Sequence, residues 1–368
     1  DSFTFKVNDG TVDSSVATVS ITITGVNDVP VATAQNIAVS EQGTAAITLA
    51  GTDANGDALT YSIVDAPTNG TVNLTGNKAV YSPNTGYYGL DSFTFKVNDG
   101  SVDSIKATIS ITVTQLPLFE RIDNSSIVCL NLNPITIGVK SSDSRTYTYT
   151  WTRNGNFFPA NISGLDSSIL IGLGGEYEVT AKTKDGTNAT KSLKITIKES
   201  KIATVTSKNI VVRDFTVDDN NTISIQTGTL GIGDYQYAID DITGPYQDEP
   251  LFEKVRPGIH TIYIRDKNDC GVAKIDVSVI GFKKFFTPNG DGYNDKWKIL
   301  GIRADFQAKT KVYIFNKNGK LIKELDPLAD GWDGNFNGNP MPATDYWFRV
   351  ILEDGREFKS HFSLMRGW

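Results

Sequence analysis

The chain has 368 residues and a formal net charge of −7, 42 acidic side chains standing against 35 basic ones. That length exceeds what one hydrophobic core serves, and the acidic balance without any basic block argues against a nucleic-acid partner. No apolar run reaches the roughly 18 residues of a membrane-crossing helix, and the richness in Thr, Ser, Val, Ile, Asn, Asp, Gly and Tyr is strand-former plus turn-former usage. The fold class this predicts is all-β.

The ten residues from Asp1 to Gly10, DSFTFKVNDG, return unchanged at 91–100, and the similarity continues from 11–24 into 101–114. A repeat of 90 residues is the size of one β-sandwich module. Residues 1–26 are therefore expected to be the final part of a truncated module, a strand pair whose earlier strands precede Asp1. The complete module is expected at 27–116. There, alternating runs at 45–49, 59–64, 71–74, 79–81, 92–97 and 107–114, parted by Gly, Asn, Asp and Pro turns, predict six or seven short strands.

The residues Asn27-Asp28-Val29-Pro30, Thr52-Asp53-Ala54-Asn55-Gly56-Asp57, Pro67-Thr68-Asn69-Gly70 and Gly86-Tyr87-Tyr88-Gly89-Leu90-Asp91-Ser92-Phe93 carry a resemblance. On them, this stretch resembles the tandem cadherin-like Ig-fold repeats of large bacterial adhesins. Calcium takes six to eight oxygen ligands, which a tight Asp/Asn/Gly turn can supply. Comparable turns in the cadherin-like repeats meet an early acidic residue and an Asn-Asp linker. The resemblance thus implies calcium as a cofactor, with Asn27, Asp28, Glu41, Asp53, Asn55 and Asp57 as candidate ligands at a junction. An Asx turn closed by hydrogen bonds without metal is the competing reading.

Beyond residue 116, three segments share one arrangement: Tyr177, His260 and Tyr346 each stand at a strand start, eight residues before a hairpin turn at Asp185, Asn268 or Asp354. Such an aromatic fits the tyrosine corner of Ig-like sandwiches, and His260 is expected to take the same inward place. Modules follow at 117–199, 200–281 and 282–368. The first two resemble Ig-like or PKD-like repeats of Bacteroidetes proteins. Cys129 and Cys270 lie in different modules about 140 residues apart, so buried free thiols are expected, with one bridge between modules as the alternative.

Nothing assembles a catalytic centre. The two histidines, His260 and His361, sit on separate strands, and the clusters Gly172–Gly175 and Gly228–Gly233 read as turns without the Lys-Ser/Thr of a phosphate cradle. The chain is read as non-enzymatic. Asn289, Asp291 and Asp295 form a second acidic turn that resembles half an EF-hand. It lacks an acid at Thr287 and has Lys298 where the bidentate Glu belongs, so a self-bonded turn competes with calcium there too.

The motifs from Phe285 to Trp297, Lys311 to Ile322, Gly331-Trp332-Asp333-Gly334, Asp345-Tyr346-Trp347-Phe348 and Phe362 to Trp368 closely resemble the type B, gliding-motility-associated C-terminal sorting domain of the type IX secretion system. Read without the family, the stretch is a seven-strand sandwich with hairpin turns at Asn318-Gly319 and Asp354-Gly355. The resemblance implies export through the periplasm to the outer cell surface. The implied partners are the type IX translocon, its shuttle protein and a PorP/SprF-like outer-membrane protein. Candidate partner-binding residues are Pro288, Asn289, Gly290, Asp291 and Trp297 of the loop, and Phe362, Leu364, Met365, Arg366 and Trp368 of the tail. The expected whole is the C-terminal part of a gliding-type, SprB-like surface adhesin. The alternative is the spacer and sorting region of a polysaccharide-degrading or proteolytic enzyme.

Overall fold

A computed structural model of the chain describes residues 1–158, 167–215 and 220–366. The architecture is tandem β-sandwiches, each with its own core, as period-two alternation requires. In the strand Gly89–Asn98, Asp91, Phe93, Phe95 and Val97 face inward while the residues between them face outward. The strand Ala107–Thr114 alternates in the same way. Burying one face of each sheet is what drives the two sheets together.

Strands Ser2–Phe5 and Ala17–Ser20 pair antiparallel and stand apart from the sandwiches. Phe3 and Phe5 are 54% and 47% exposed, whereas their copies Phe93 and Phe95 are buried at 1% and 0%. The same residues thus form the same hairpin with or without a core beneath it.

The next sandwich sets the sheet Gln35–Ser40, Ala107–Thr114, Gly89–Asn98 and Thr60–Asp65 against the sheet Ala45–Thr48, Lys78–Pro83 and Gly70–Thr75. Its core gathers Ile47, Leu49, Tyr81, Phe93, Phe95, Ile109 and Ile111. Asp91 explains one motif of the repeat. Its buried carboxylate accepts the Tyr81 hydroxyl at 2.8 Å and the amides of Thr68 and Asn69 at 3.1 and 3.0 Å, tying the Pro67–Gly70 turn to the core.

The following sandwich has a five-stranded sheet, Ile127–Cys129, Thr190–Ser200, Gly175–Thr183, Tyr147–Arg153 and Asn156–Phe158, opposite a three-stranded one. Trp151 and Tyr177 lie at its centre, both fully buried. The next is smaller, with three strands in each sheet and a core of Ile223, Leu230, Tyr237, Ile262, Ile264 and Val279. All three corner residues bond back four positions: Tyr177 Oη donates to Leu173 O at 2.7 Å, Tyr346 Oη to Pro342 O at 2.9 Å, and His260 Nε2 to Arg256 O at 2.7 Å. His260 also meets Asp240 Oδ2 through Nδ1 at 2.7 Å.

The last sandwich is built on the sheet Phe285–Phe286, Glu357–Leu364, Asp345–Ile351, Lys311–Phe315 and Leu321–Leu325. Its core is dominated by aromatic side chains: Phe286, Trp297, Trp332, Tyr346, Phe348 and Phe362. Trp297 and Trp332 exchange backbone hydrogen bonds at 2.9 and 2.8 Å. Trp297 also stacks on Phe362 with ring centroids 3.9 Å apart.

The expectation of free thiols is overturned: Cys129 and Cys270 are disulfide-bonded, with Cα atoms 5.3 Å apart. Separation in sequence argued against a bridge. The end-to-end stacking of two modules, however, brings the strand Ile127–Cys129 beside the hairpin that follows Gly258–Asp266.

Candidate functional site

Side chains fix each junction. At the first, Leu116 N donates to Glu41 Oε1 at 3.2 Å, and Arg145 grips the carbonyls of Gln115 and Leu116 at 3.1 and 2.6 Å. Asp143 holds that Arg145 in place at 2.9 Å and also accepts the Tyr147 hydroxyl at 2.6 Å. These donors keep the Asp143 carboxyl below the ordinary range against the opposing pull of burial.

At the last junction Phe215 reaches out of the preceding module and lies flat on Phe358, centroids 4.0 Å apart, beside Phe282 and Phe348. Its backbone is left-handed, φ 55°, a costly state for a bulky residue, which this aromatic packing sustains. Beside it Asp214 accepts Arg356 Nη1 at 2.6 Å and the Ile280 amide at 3.0 Å.

The residues proposed for calcium divide between the two ends of their module. Glu41 lies at the far end, its amide bonded to Thr114 O at 3.0 Å. Asn27, Asp28, Asp53, Asn55 and Asp57 share the near end. There Asn55 Oδ1 accepts the Asp28 amide at 2.7 Å, and Asp53 Oδ1 accepts the amides of Asn55 and Asp57 at 2.9 and 3.1 Å. Asn27 Nδ2 donates to Asp99 at 2.8 Å. Much of the oxygen set is thus spent on an Asx turn. One oxygen does fit a cation: Asp53 Oδ2 is buried and has no hydrogen-bond partner. Among the described residues no three His, Cys, Asp or Glu side chains converge as a metal cluster.

The second acidic turn closes on itself. Asp295 Oδ1 accepts the amides of Asn289 and Gly290 at 3.0 and 2.7 Å, and Oδ2 accepts that of Gly292 at 2.7 Å. These bonds, Gly290's foremost, hold the Asp295 carboxyl below the ordinary range. Asn289 and Asp291 bond each other and the following amides. The geometry is that of a preorganised loop with its carboxylate turned inward onto amides.

Of the residues proposed to meet a partner, Asn289, Gly290 and Asp291 are exposed at the loop tip, and Met365 is 49% exposed. Pro288 is half-buried, and Arg366 is tied to the carbonyls of Met341 and Gly334 at 3.1 Å each. Trp297, Phe362 and Leu364 must be corrected: at 0%, 0% and 1% exposure they build the core and offer no surface. Trp368 lies outside the described residues. Sequence reasoning missed Tyr293, 74% exposed, Phe285 at 45% and Trp347 at 44%. Alternation was the available signal for Trp347, which stands one residue out of phase with the buried Tyr346 and Phe348. Met365 N bonds Phe286 O at 2.9 Å, so the tail runs beside the start of the loop.

Fold and site define the chain as a row of Ig-like β-sandwiches ending in an aromatic-cored sandwich with a carboxylate-centred loop. Residues 280–365 match the CHU_C Type IX secretion signal domain, and residues 27–112 match the Bacterial Ig domain. The chain therefore carries a type IX secretion signal, which implies export out of the cell. No curated protein matches it. Similar solved structures include Sidekick-1 immunoglobulin domains 1–5, at 12% identity and TM-score 0.32 over 91% of this chain and 79% of that one. The human desmocollin-1 ectodomain is similar at 9% identity and TM-score 0.27, over 99% of this chain and 85% of that one. Among the described residues no helix is long and apolar enough to cross a membrane.

Proposed function

We propose that the chain is the stalk and export-signal portion of a secreted cell-surface adhesin of the gliding type. Its stacked modules hold a distal binding activity away from the cell, and its last domain is read during export and attachment. The single observation that carries this reading is the match of residues 280–365 to a secretion signal, placed after a 90-residue repeat. Repetition of sandwiches produces length, which a stalk needs. The Cys129–Cys270 bond agrees with passage through an oxidising compartment.

The partners in this reading are the type IX translocon, its shuttle protein and a PorP/SprF-like outer-membrane protein. The surface offered to them is the loop tip Asn289–Tyr293 with Phe285 and Met365, where Tyr293 is 74% exposed and Phe285 and Met365 are about half exposed. Calcium belongs to the same proposal at the near end of the repeat, where Asp53 Oδ2 is the oxygen it would take.

The test is export in the native host. Deleting 282–368 from the full-length protein leaves it in the periplasm, scored by surface labelling of intact cells and by fractionation. Unchanged surface display would refute the sorting role.

A further inference from the structure

Cys129 stands near the start of one module and Cys270 in the last hairpin of the next. Their bond spans a sequence separation of 141 residues and closes a covalent ring around most of both modules. Inside the ring lie the sheet partners Tyr147–Arg153, Gly175–Thr183 and Thr190–Ser200 of one module and Gly258–Asp266 of the other. Outside it remain only the strand Phe119–Arg121 and the bridged strand's own lead-in on one side, and Val272–Val279 on the other.

A chain under tension carries its load along the shortest covalent path. For a pull applied before Cys129 and after Cys270, that path enters at Cys129, crosses the sulfur bridge and leaves at Cys270. We propose that the bridge is a mechanical bypass, which takes tension past the two middle modules and caps the length they can release. Unbridged, 141 residues pay out roughly 500 Å of chain at about 3.5 Å each. Bridged, the two Cα atoms stay 5.3 Å apart.

The surroundings bury one end of the bond and keep the modules aligned, with Cys129 half-buried. Cys270 is 1% exposed. Asn131 Nδ2 donates to Cys270 O at 2.8 Å, and Asn131 Oδ1 accepts the Ile202 amide at 2.9 Å. Next to them Ser200 Oγ donates to the fully buried Asp266 carboxylate at 2.9 Å, so the joint has a polar lock beside its covalent one. The junctions on either side rely on hydrogen bonds and stacked rings. The bypass lies between the repeat and the signal domain, so any load passing between those two ends crosses it. This holds whatever the stalk carries, and so does not rest on the adhesin reading.

The experiment is single-molecule stretching of the whole chain between handles at its two ends. The oxidised wild-type protein is expected to release roughly 500 Å less contour length than the same protein unfolded, reduced and refolded in reductant. The double variant Cys129→Ser/Cys270→Ser should match the reduced protein. Equal contour lengths in oxidised and reduced wild-type molecules would overturn the proposal. So would alkylation of both cysteines in protein denatured without reductant, a readout independent of how any variant folds.

Discussion

Asp295 spends both carboxylate oxygens on backbone amides, and this explains why an acidic turn here is a rigid loop. Charge-assisted bonds of this kind are the strong ones. The carboxyl titrates below its ordinary range, so its support for the loop is complete above the usual Asp pKa and is lost as pH falls through the lowered folded value. Replacing Asp295 with Asn should speed hydrogen exchange at the amides of Gly290 and Gly292 at neutral pH, and the wild-type loop should approach the variant's rates only in acid. Unchanged rates would assign the loop's order to something else. Asp91 works similarly inside a core, and Asp91→Ala strands the Tyr81 hydroxyl and two amides. A loss of roughly 2–3 kcal/mol in the 27–116 module is expected in urea unfolding, and a loss below 1 kcal/mol would contradict that role.

At the scale of elements, turns and hairpins were the most legible part of the chain. Asn8 donates to Asp13 at 2.6 Å in the first copy and Asn98 to Asp103 at 2.8 Å in the second, though only the second sits on a complete core. Local side-chain bonding therefore suffices to shape this turn. Strands were legible because alternation is set by the pleat, and the three corner residues because each sits at a fixed distance from a hairpin. Which aromatic side chains are exposed was not legible. Trp297 and Phe362 are conspicuous in sequence because they are large, yet size is what a core recruits. Trp297→Ala should cost about 3–5 kcal/mol and abolish export by unfolding the domain, whereas Tyr293→Ala should leave its melting temperature within a degree or two. Circular dichroism melts distinguish the two, and a stable Trp297→Ala domain would contradict the packing argument.

For the whole molecule the issue is what holds one sandwich to the next. Each of the three joints between complete modules has its own clamp: Arg145 on the 115–116 carbonyls, the Cys129–Cys270 bond, and Phe215 laid on Phe358. If calcium also enters at Asp53, a chelator should lower the melting temperature of the 27–116 module and added calcium should restore it. No shift would assign that turn to hydrogen bonding alone.

Sequence by itself determined the all-β class, the repeat, the turns and the strand phases, because these depend on residues a few positions apart. It also carried the secretion motif, whose order and spacing are linear. Only the tertiary structure decided which aromatic side chains are exposed and which build the core, that Glu41 lies at the opposite end of its module from Asp53, and that two cysteines in different modules form one bond. Those outcomes depend on how sheets stack and how modules abut, over distances that no local pattern of residues encodes.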